Sequence, residues 1–228
     1  QGWSERLFAC AGREVLLKTI IQAIPTYSMS CFLLTKKVCK KLTSSMAKYW
    51  WSSSIDKRSP KCQGGMGFRD LHMFNLALLG KHGWRFMTNP TSLCARVLKG
   101  RYFPDTDFLQ ARAPKASSAI WRAIISGREA LLAGIVRRVG DGTSINPWTD
   151  KWIPTTLTRA PLLRPPGSNI NQVSELINTE NWTWKQDLVR HTFIAPDAEA
   201  ILNIPLQRGG GEDTLAWAHE RTSNYTVK

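Results

Sequence analysis

Between Asp70 and Met87 the chain places Leu71, Phe74, Leu76, Leu78, Leu79, Trp84 and Phe86 at helical spacing and leaves almost no polar side. A helix that is apolar nearly all round is stable only with packing partners on most of its faces. The segment therefore predicts a central, buried helix inside a mainly helical core. Asp70 stands at its N-cap and Asn89-Pro90 stops it. Ser92 opens a second helix through Tyr102, closed by Phe103-Pro104, and Ser117 or Ser118 opens a third to about Leu132. Upstream, Ser4 is a candidate cap for a helix to Ile24, with Gly12 as a possible break and Pro25 as the stop.

After an apolar stretch from Tyr27 to Leu34, Thr35 is the candidate cap of a long helix ending near Trp51. At about 100° per residue, Val38, Leu42, Met46 and Tyr49 share one stripe, and Lys36, Lys37, Lys40, Lys41 and Lys48 gather opposite. A solvated lysine face is common on soluble proteins. Here the five lysines come with no acid on the same helix to pair them, which favours a phosphate-tracking face flanked by Trp50 and Trp51. Residues 52–67 read as a Ser- and Gly-rich loop, in which Gly64-Gly65-Met66-Gly67 matches neither a Walker loop nor GxGxxG.

Beyond Leu132 the pattern changes. Ile135–Val139, Gly140-Asp141-Gly142 and Thr143–Trp148 read as a β-hairpin, because Asp-Gly supplies the positive φ of a tight turn. Residues 154–170, with Pro154, Pro161, Pro165 and Pro166, read as a linker or extended loop. Short helices follow near Val173–Ile177, Trp184–His191 and Asp197–Leu202, then Gly209-Gly210-Gly211 and two terminal strands. The ten tryptophans are scattered and are expected mostly in the core. The fold class expected is thus mainly α with a small β portion: a helical bundle, a β-hairpin and an irregular C-terminal part.

Charge divides along the same line. Residues 1–138 carry 23 Lys and Arg against 7 Asp and Glu (+16), and residues 139–228 carry 8 against 10 (−2). An excess of that size attracts polyanions, either nucleic acid or an acidic membrane, before any specific contact forms. No apolar run reaches the roughly 18 residues of a membrane span, and no signal-peptide pattern opens the chain. An intracellular protein of nucleus or cytoplasm is expected, with no membrane partner. Cys10, Cys31, Cys39, Cys62 and Cys94 lack the paired spacing of a zinc site and are expected as reduced thiols.

Catalytic constellations are sparse. Asp105-x-Asp107 is a close carboxylate pair, and its setting after Pro104 reads as a solvated loop rather than a metal site. His72, His82, His191 and His219 show no metal-ligand spacing, and no GxSxG elbow occurs. No cofactor, metal or catalytic residue is assigned, and no enzyme is expected within these residues.

With these residues in view, the chain resembles the region after the reverse transcriptase domain of plant-type non-LTR (LINE) retrotransposon polyproteins. The resemblance is carried by Gly12-Arg13-Glu14-Val15-Leu16-Leu17-Lys18, Ala23-Ile24-Pro25-Thr26-Tyr27-Ser28-Met29-Ser30, Trp50-Trp51, Gly64-Gly65-Met66-Gly67-Phe68-Arg69-Asp70-Leu71 and Phe74-Asn75. It continues through Ala77-Leu78-Leu79, Gly83-Trp84-Arg85, Arg101-Tyr102-Phe103-Pro104, Trp121-Arg122, Gly127-Arg128-Glu129, Gly140-Asp141-Gly142 and Trp148-Thr149-Asp150-Lys151-Trp152.

The resemblance implies thumb-like basic helices over 1–51, a helical connector over 64–138, and a Trp-rich mixed α/β region over 139–228 that ends before a zinc-binding segment. Both ends are expected to be cut. The polymerase palm would lie upstream and the zinc-binding segment downstream, so none of the family's catalytic residues carries over. Between Trp51 and Gly64 the chain is shorter than the family pattern. The functional expectation is phosphate contact with template-primer RNA, DNA or their hybrid through Lys36, Lys37, Lys40, Lys41 and Lys48. Arg13, Lys18, Arg69, Lys81 and Arg85 are further candidates. An inactive retroelement relic, or a repurposed basic interaction module, is the alternative.

Overall fold

Side chains close the helix starts where the sequence places them. In the computed structural model, which describes residues 10–23, 25–51, 69–154, 159–207, 209–220 and 222–227, the Asp70 carboxylate accepts from the His72 and Met73 amides at 2.8 and 3.0 Å. Ser92 accepts from Ala95 N, Ser118 from Trp121 N, and Thr35 Oγ1 from Val38 N. Each satisfies an amide that the first helical turn leaves without a carbonyl partner. The Ser4 cap, the Gly64–Gly67 turn and the shortened 52–63 segment lie outside the described residues.

The chain divides into two compact units, one reaching up to Leu131 with Val227 added, the other Leu132–Thr226. The first contains α1 (Cys10–Leu16), a π-helical turn (Leu17–Ile21), α2 (Thr26–Cys31), α3 (Lys36–Trp51), α4 (Leu71–Thr88), α5 (Leu93–Tyr102), α6 (Ala119–Ser126) and α7 (Arg128–Leu132). As its composition demands, α4 is central: it packs on α2, α3, α5 and α6 and buries Leu71, Phe74, Leu79, Trp84 and Phe86. The helix expected from Ser118 to Leu132 is two helices meeting at Gly127, where a Cβ would run into the backbone of Gly80 and Leu79.

Two polar devices lock this unit. Asn75, fully buried on α4, donates from Nδ2 to the carbonyls of Met29 (2.6 Å) and Phe32 (3.0 Å), and its Oδ1 accepts from Leu34 N (2.7 Å). It thereby pins the apolar stretch between α2 and α3. Trp121 lies between Tyr102 and Phe103, with ring centroids at 4.7 and 5.4 Å, and its Nε1 donates to Arg112 O at 3.0 Å.

The second unit contains β1 (Ile135–Arg138), a 3-10 turn (Val173–Leu176), β2 (Ile177–Asn178), β3 (Thr183–Trp184), α8 (Gln186–Thr192), α9 (Ala195–Leu202) and β4 (Thr214–Trp217). The architecture is mainly α with a small β portion. The expected hairpin across Gly140-Asp141-Gly142 is replaced by a long-range pairing: β1 runs antiparallel to β4, with Ile135 opposite Trp217 and Arg138 opposite Thr214. The cause is Asp213, whose carboxylate accepts from Gly140 N (2.7 Å), Gly142 N and Ser144 N (2.9 Å each) and Ser144 Oγ (2.8 Å). Those amides are therefore unavailable for a hairpin ladder. The hairpin of this unit is β2–β3. Because its partner is β4, β1 belongs to the second unit, which begins at Leu132. Of the two terminal strands expected, the described residues form β4 alone.

Tryptophans build this second core. Trp152 and Trp184 are buried with Ile145, Ile153, Leu176, Val189, Phe193 and Ile201, and Trp148 and Trp182 pack against them. The indole N–H groups of Trp148, Trp152 and Trp184 donate to the carbonyls of Ile170, Pro147 and Ile204 at 2.7–3.0 Å. Such bonds allow a large apolar ring to be buried without an unsatisfied donor. Among the described residues no helix is long and apolar enough to cross a membrane. Cys31, Cys39 and Cys94 are free thiols.

Candidate nucleic-acid interface

Sixteen residues without Gly or Pro, opened by the Thr35 cap, make α3 a continuous helix. Its inner face is Cys39 (4% exposed) and Met46 (8%), flanked by half-buried Leu42, Tyr49 and Trp50, all packed with Leu17, Met29, Leu71 and Phe74. Burial, and next the Asp70 carboxylate, push the Cys39 thiol above its ordinary pKa. Val38, expected on the apolar stripe, is instead 44% exposed. The buried arc is rotated toward Cys39, a small apolar side chain that fits closer to the neighbouring helix than a β-branched one.

All five lysines of α3 are exposed. Taking about 100° per residue from the centre of the buried arc, Lys37, Lys41 and Lys48 point almost directly away from the core, and Lys36 and Lys40 lie to one side. With a rise of 1.5 Å per residue, Lys37 and Lys48 are about 16 Å apart along the axis. The ion pairs among the described residues are Lys18–Glu14 and Arg190–Glu199, so none of these five lysines is neutralised by an acid there.

The other candidates fare unevenly. Lys18 is exposed but bonded to Glu14 at 2.6 Å. Arg13 has its backbone in α1, and its side chain lies outside the described part. Arg69 is exposed, its guanidinium carbon 4.7 Å from the centre of the Phe74 ring, a cation–π contact that orients it. Lys81 and Arg85 are exposed one turn apart on α4. The structure brings α3 and α4 together by direct packing, so both basic sets belong to one helical unit.

Sequence reasoning passed over α5, where Arg96, Lys99 and Arg101 are all exposed and the helix contains no acid. The criterion that singled out α3 would have found them. By contrast, Arg122 and Arg128 are structural: Arg122 donates to the carbonyls of Lys115 and Ser117, and Arg128 to those of Leu109 and Ala111.

Among the described residues, groups that could do chemistry are dispersed. Asp105 and Asp107 are exposed in the turn after Phe103, and no three His, Cys, Asp or Glu side chains among the described residues could hold one metal ion. His82 Nε2 lies 2.9 Å from Ser30 O, and His191 Nδ1 lies 2.9 Å from Asp187 O, both within the protein's own hydrogen-bond framework. The arrangement suits sequence-independent contact with phosphates, which needs cations on a rigid support and no base-reading groups.

No protein-family profile matches the chain, and no solved structure matches it. A protein of Arabidopsis thaliana described as a "Putative ribonuclease H protein" is 34% identical over 169 residues, covering 67% of this chain but only 27% of that longer protein. An uncharacterized mitochondrial protein of Arabidopsis thaliana is 44% identical over 143 residues, which cover 58% of this chain and 93% of that protein. An identity of that level across nearly the whole of the mitochondrial protein places this chain in its family.

Proposed function

We propose that the chain is a retroelement-derived, non-catalytic module that grips nucleic acid by its phosphates through the outer face of α3. The observation that carries this reading is the set of five exposed lysines on one helix that itself contains no acid. Lysine on phosphate supplies affinity through counterion release without reading sequence. Both relatives are consistent with a retroelement-related origin. In the fuller form of the proposal, the first unit acts as the thumb and connector of a LINE-type reverse transcriptase polyprotein. Its partners are RNA, DNA or their hybrid, a polymerase palm upstream and a zinc-binding segment downstream. Lys81, Arg85 and Arg69 extend the grip along α4. The place of action is the nucleus or cytoplasm, to which the name of the mitochondrial relative adds a third compartment for testing.

The test is fluorescence anisotropy of labelled duplex DNA, RNA and hybrid with the 228-residue chain between 50 and 200 mM salt. The log–log slope of affinity against salt is expected near −0.9 for each B-DNA phosphate neutralised. Replacing Lys36, Lys37, Lys40, Lys41 and Lys48 by Gln flattens that slope by up to about 4.5 and leaves near-UV circular dichroism unchanged. Equal affinity of variant and parent would refute the assignment of contacts. A parent with no fixed near-UV spectrum and no binding would instead support an inactive relic.

A further inference from the structure

The same helix carries a group that the phosphate-gripping reading leaves unused. Thr43, Ser44 and Ser45 are exposed in the middle of α3. Thr43 Oγ1 donates to Cys39 O and Ser45 Oγ to Lys41 O, each at 3.0 Å, the back-bond to residue i−4 common for hydroxyls in helices. Among the described residues the Ser44 hydroxyl makes no hydrogen bond and faces solvent. At 100° per residue Ser44 falls inside the lysine arc, with Lys40 four residues before it, Lys41 three before and Lys48 four after.

We propose that Ser44 is a phosphorylation site for a basophilic protein kinase and that its phosphate switches off the nucleic-acid grip of α3. Lysines at positions −3 and −4 supply the basic determinant such a kinase reads through its own acidic groups. In the transfer, Ser44 Oγ attacks the γ-phosphorus of ATP. An Oγ–P bond forms, the bond from that phosphorus to the β–γ bridging oxygen breaks, ADP leaves, and the hydroxyl proton passes to the kinase's base.

The product carries about −2 charge and three acceptor oxygens within reach of lysines on the turns above and below. Those lysines then bond the phosphoserine rather than an external phosphate, so the helix competes with its own ligand. Removing two of the charges that neutralise nucleic-acid phosphates flattens the salt slope by about 1.8. At 0.15 M salt this corresponds to a loss of affinity of about 30-fold, and Ser44→Asp, with one charge, loses about 5-fold. This inference rests on the reading of the α3 face as the nucleic-acid contact.

The experiment incubates the 228-residue chain with ATP and a serine/threonine kinase that requires a basic residue at −3, maps phosphate by tandem mass spectrometry, and repeats the anisotropy titrations. Phosphate on Ser44, the 30-fold loss and the shallower slope are expected, and Ser44→Ala should remove both modification and loss while binding like the parent. Absence of phosphate on Ser44 would overturn the site. A Ser44 phosphoprotein, or Ser44→Asp, that binds like the parent while the five-lysine variant has lost binding would overturn the switch and leave the lysine face standing. Parental binding by the five-lysine variant would overturn the face and the switch together.

Discussion

Replacing Asn75 by alanine removes one amide that serves three partners. Leu34 N–H loses its acceptor at 2.7 Å, and the carbonyls of Met29 and Phe32 lose donors at 2.6 and 3.0 Å. Asn75 and Met29 are both fully buried, so the Met29 carbonyl has no water to turn to, and Leu34 is only half-exposed. Each stranded group costs about 1–3 kcal/mol, and the Phe32 carbonyl, at a residue 48% exposed, costs less because solvent can reach it. Their sum is about 3–5 kcal/mol, a large part of the 5–15 kcal/mol that ordinarily holds a domain folded. Asn75→Asp keeps the oxygen that faces Leu34 but sets a second oxygen against two carbonyls, and is expected to be at least as damaging.

The assay pairs urea unfolding, followed by far-UV circular dichroism, with hydrogen exchange of the peptide covering residues 27–34. The first unit should unfold at lower urea and the Leu34 amide should lose protection, while segments of the second unit such as Val173–Leu176 keep theirs. An unchanged midpoint together with unchanged protection at Leu34 would refute the claim that Asn75 fixes the entry to α3.

Asp213→Asn should destabilise the second unit by about 1–3 kcal/mol, a figure held down because its site is partly open to water that can replace lost bonds. Burial raises the Asp213 pKa, but the bonds from Gly140, Ser144 and Gly142 together outweigh it and hold the carboxyl below its ordinary value. Its contribution is thus fully present above the unfolded carboxylate pKa and is lost as pH falls through the lower folded value. Tryptophan fluorescence from pH 5 downward should show a shallower acid destabilisation in Asp213→Asn, and identical profiles would contradict this. Gly127→Ala drives a methyl group into Gly80 and Leu79 and should cost about 1–3 kcal/mol by prying α6 and α7 from α4. A thermal melt indistinguishable from the parent would show that the contact can relax.

What a short window of chain could decide was decided there. Asp70, Ser92, Ser118 and Thr35 cap the helices they precede because the bond from cap to N2 or N3 is closed within four residues, whatever packs outside. The centrality of α4 likewise follows from a surface too apolar to face water. The five lysines of α3 are exposed because charge stays in solvent unless a partner draws it in. Tertiary structure decided the rest. The rotation of the buried arc from Val38 to Cys39 depends on how closely the neighbouring helices approach, which the period of α3 does not encode. The close approach that leaves no room for a Cβ at Gly127 depends on Gly80 and Leu79, and the pinning of residues 29–34 on Asn75, all far along the chain. The lost hairpin after β1 is the clearest case. Asp-Gly is a sound local turn signal, but one carboxylate at Asp213 offers the 140–144 amides several bonds at once and brings β4 beside β1. Local preference is worth about 1 kcal/mol at each position, so a distant group that satisfies several buried donors together overrides it.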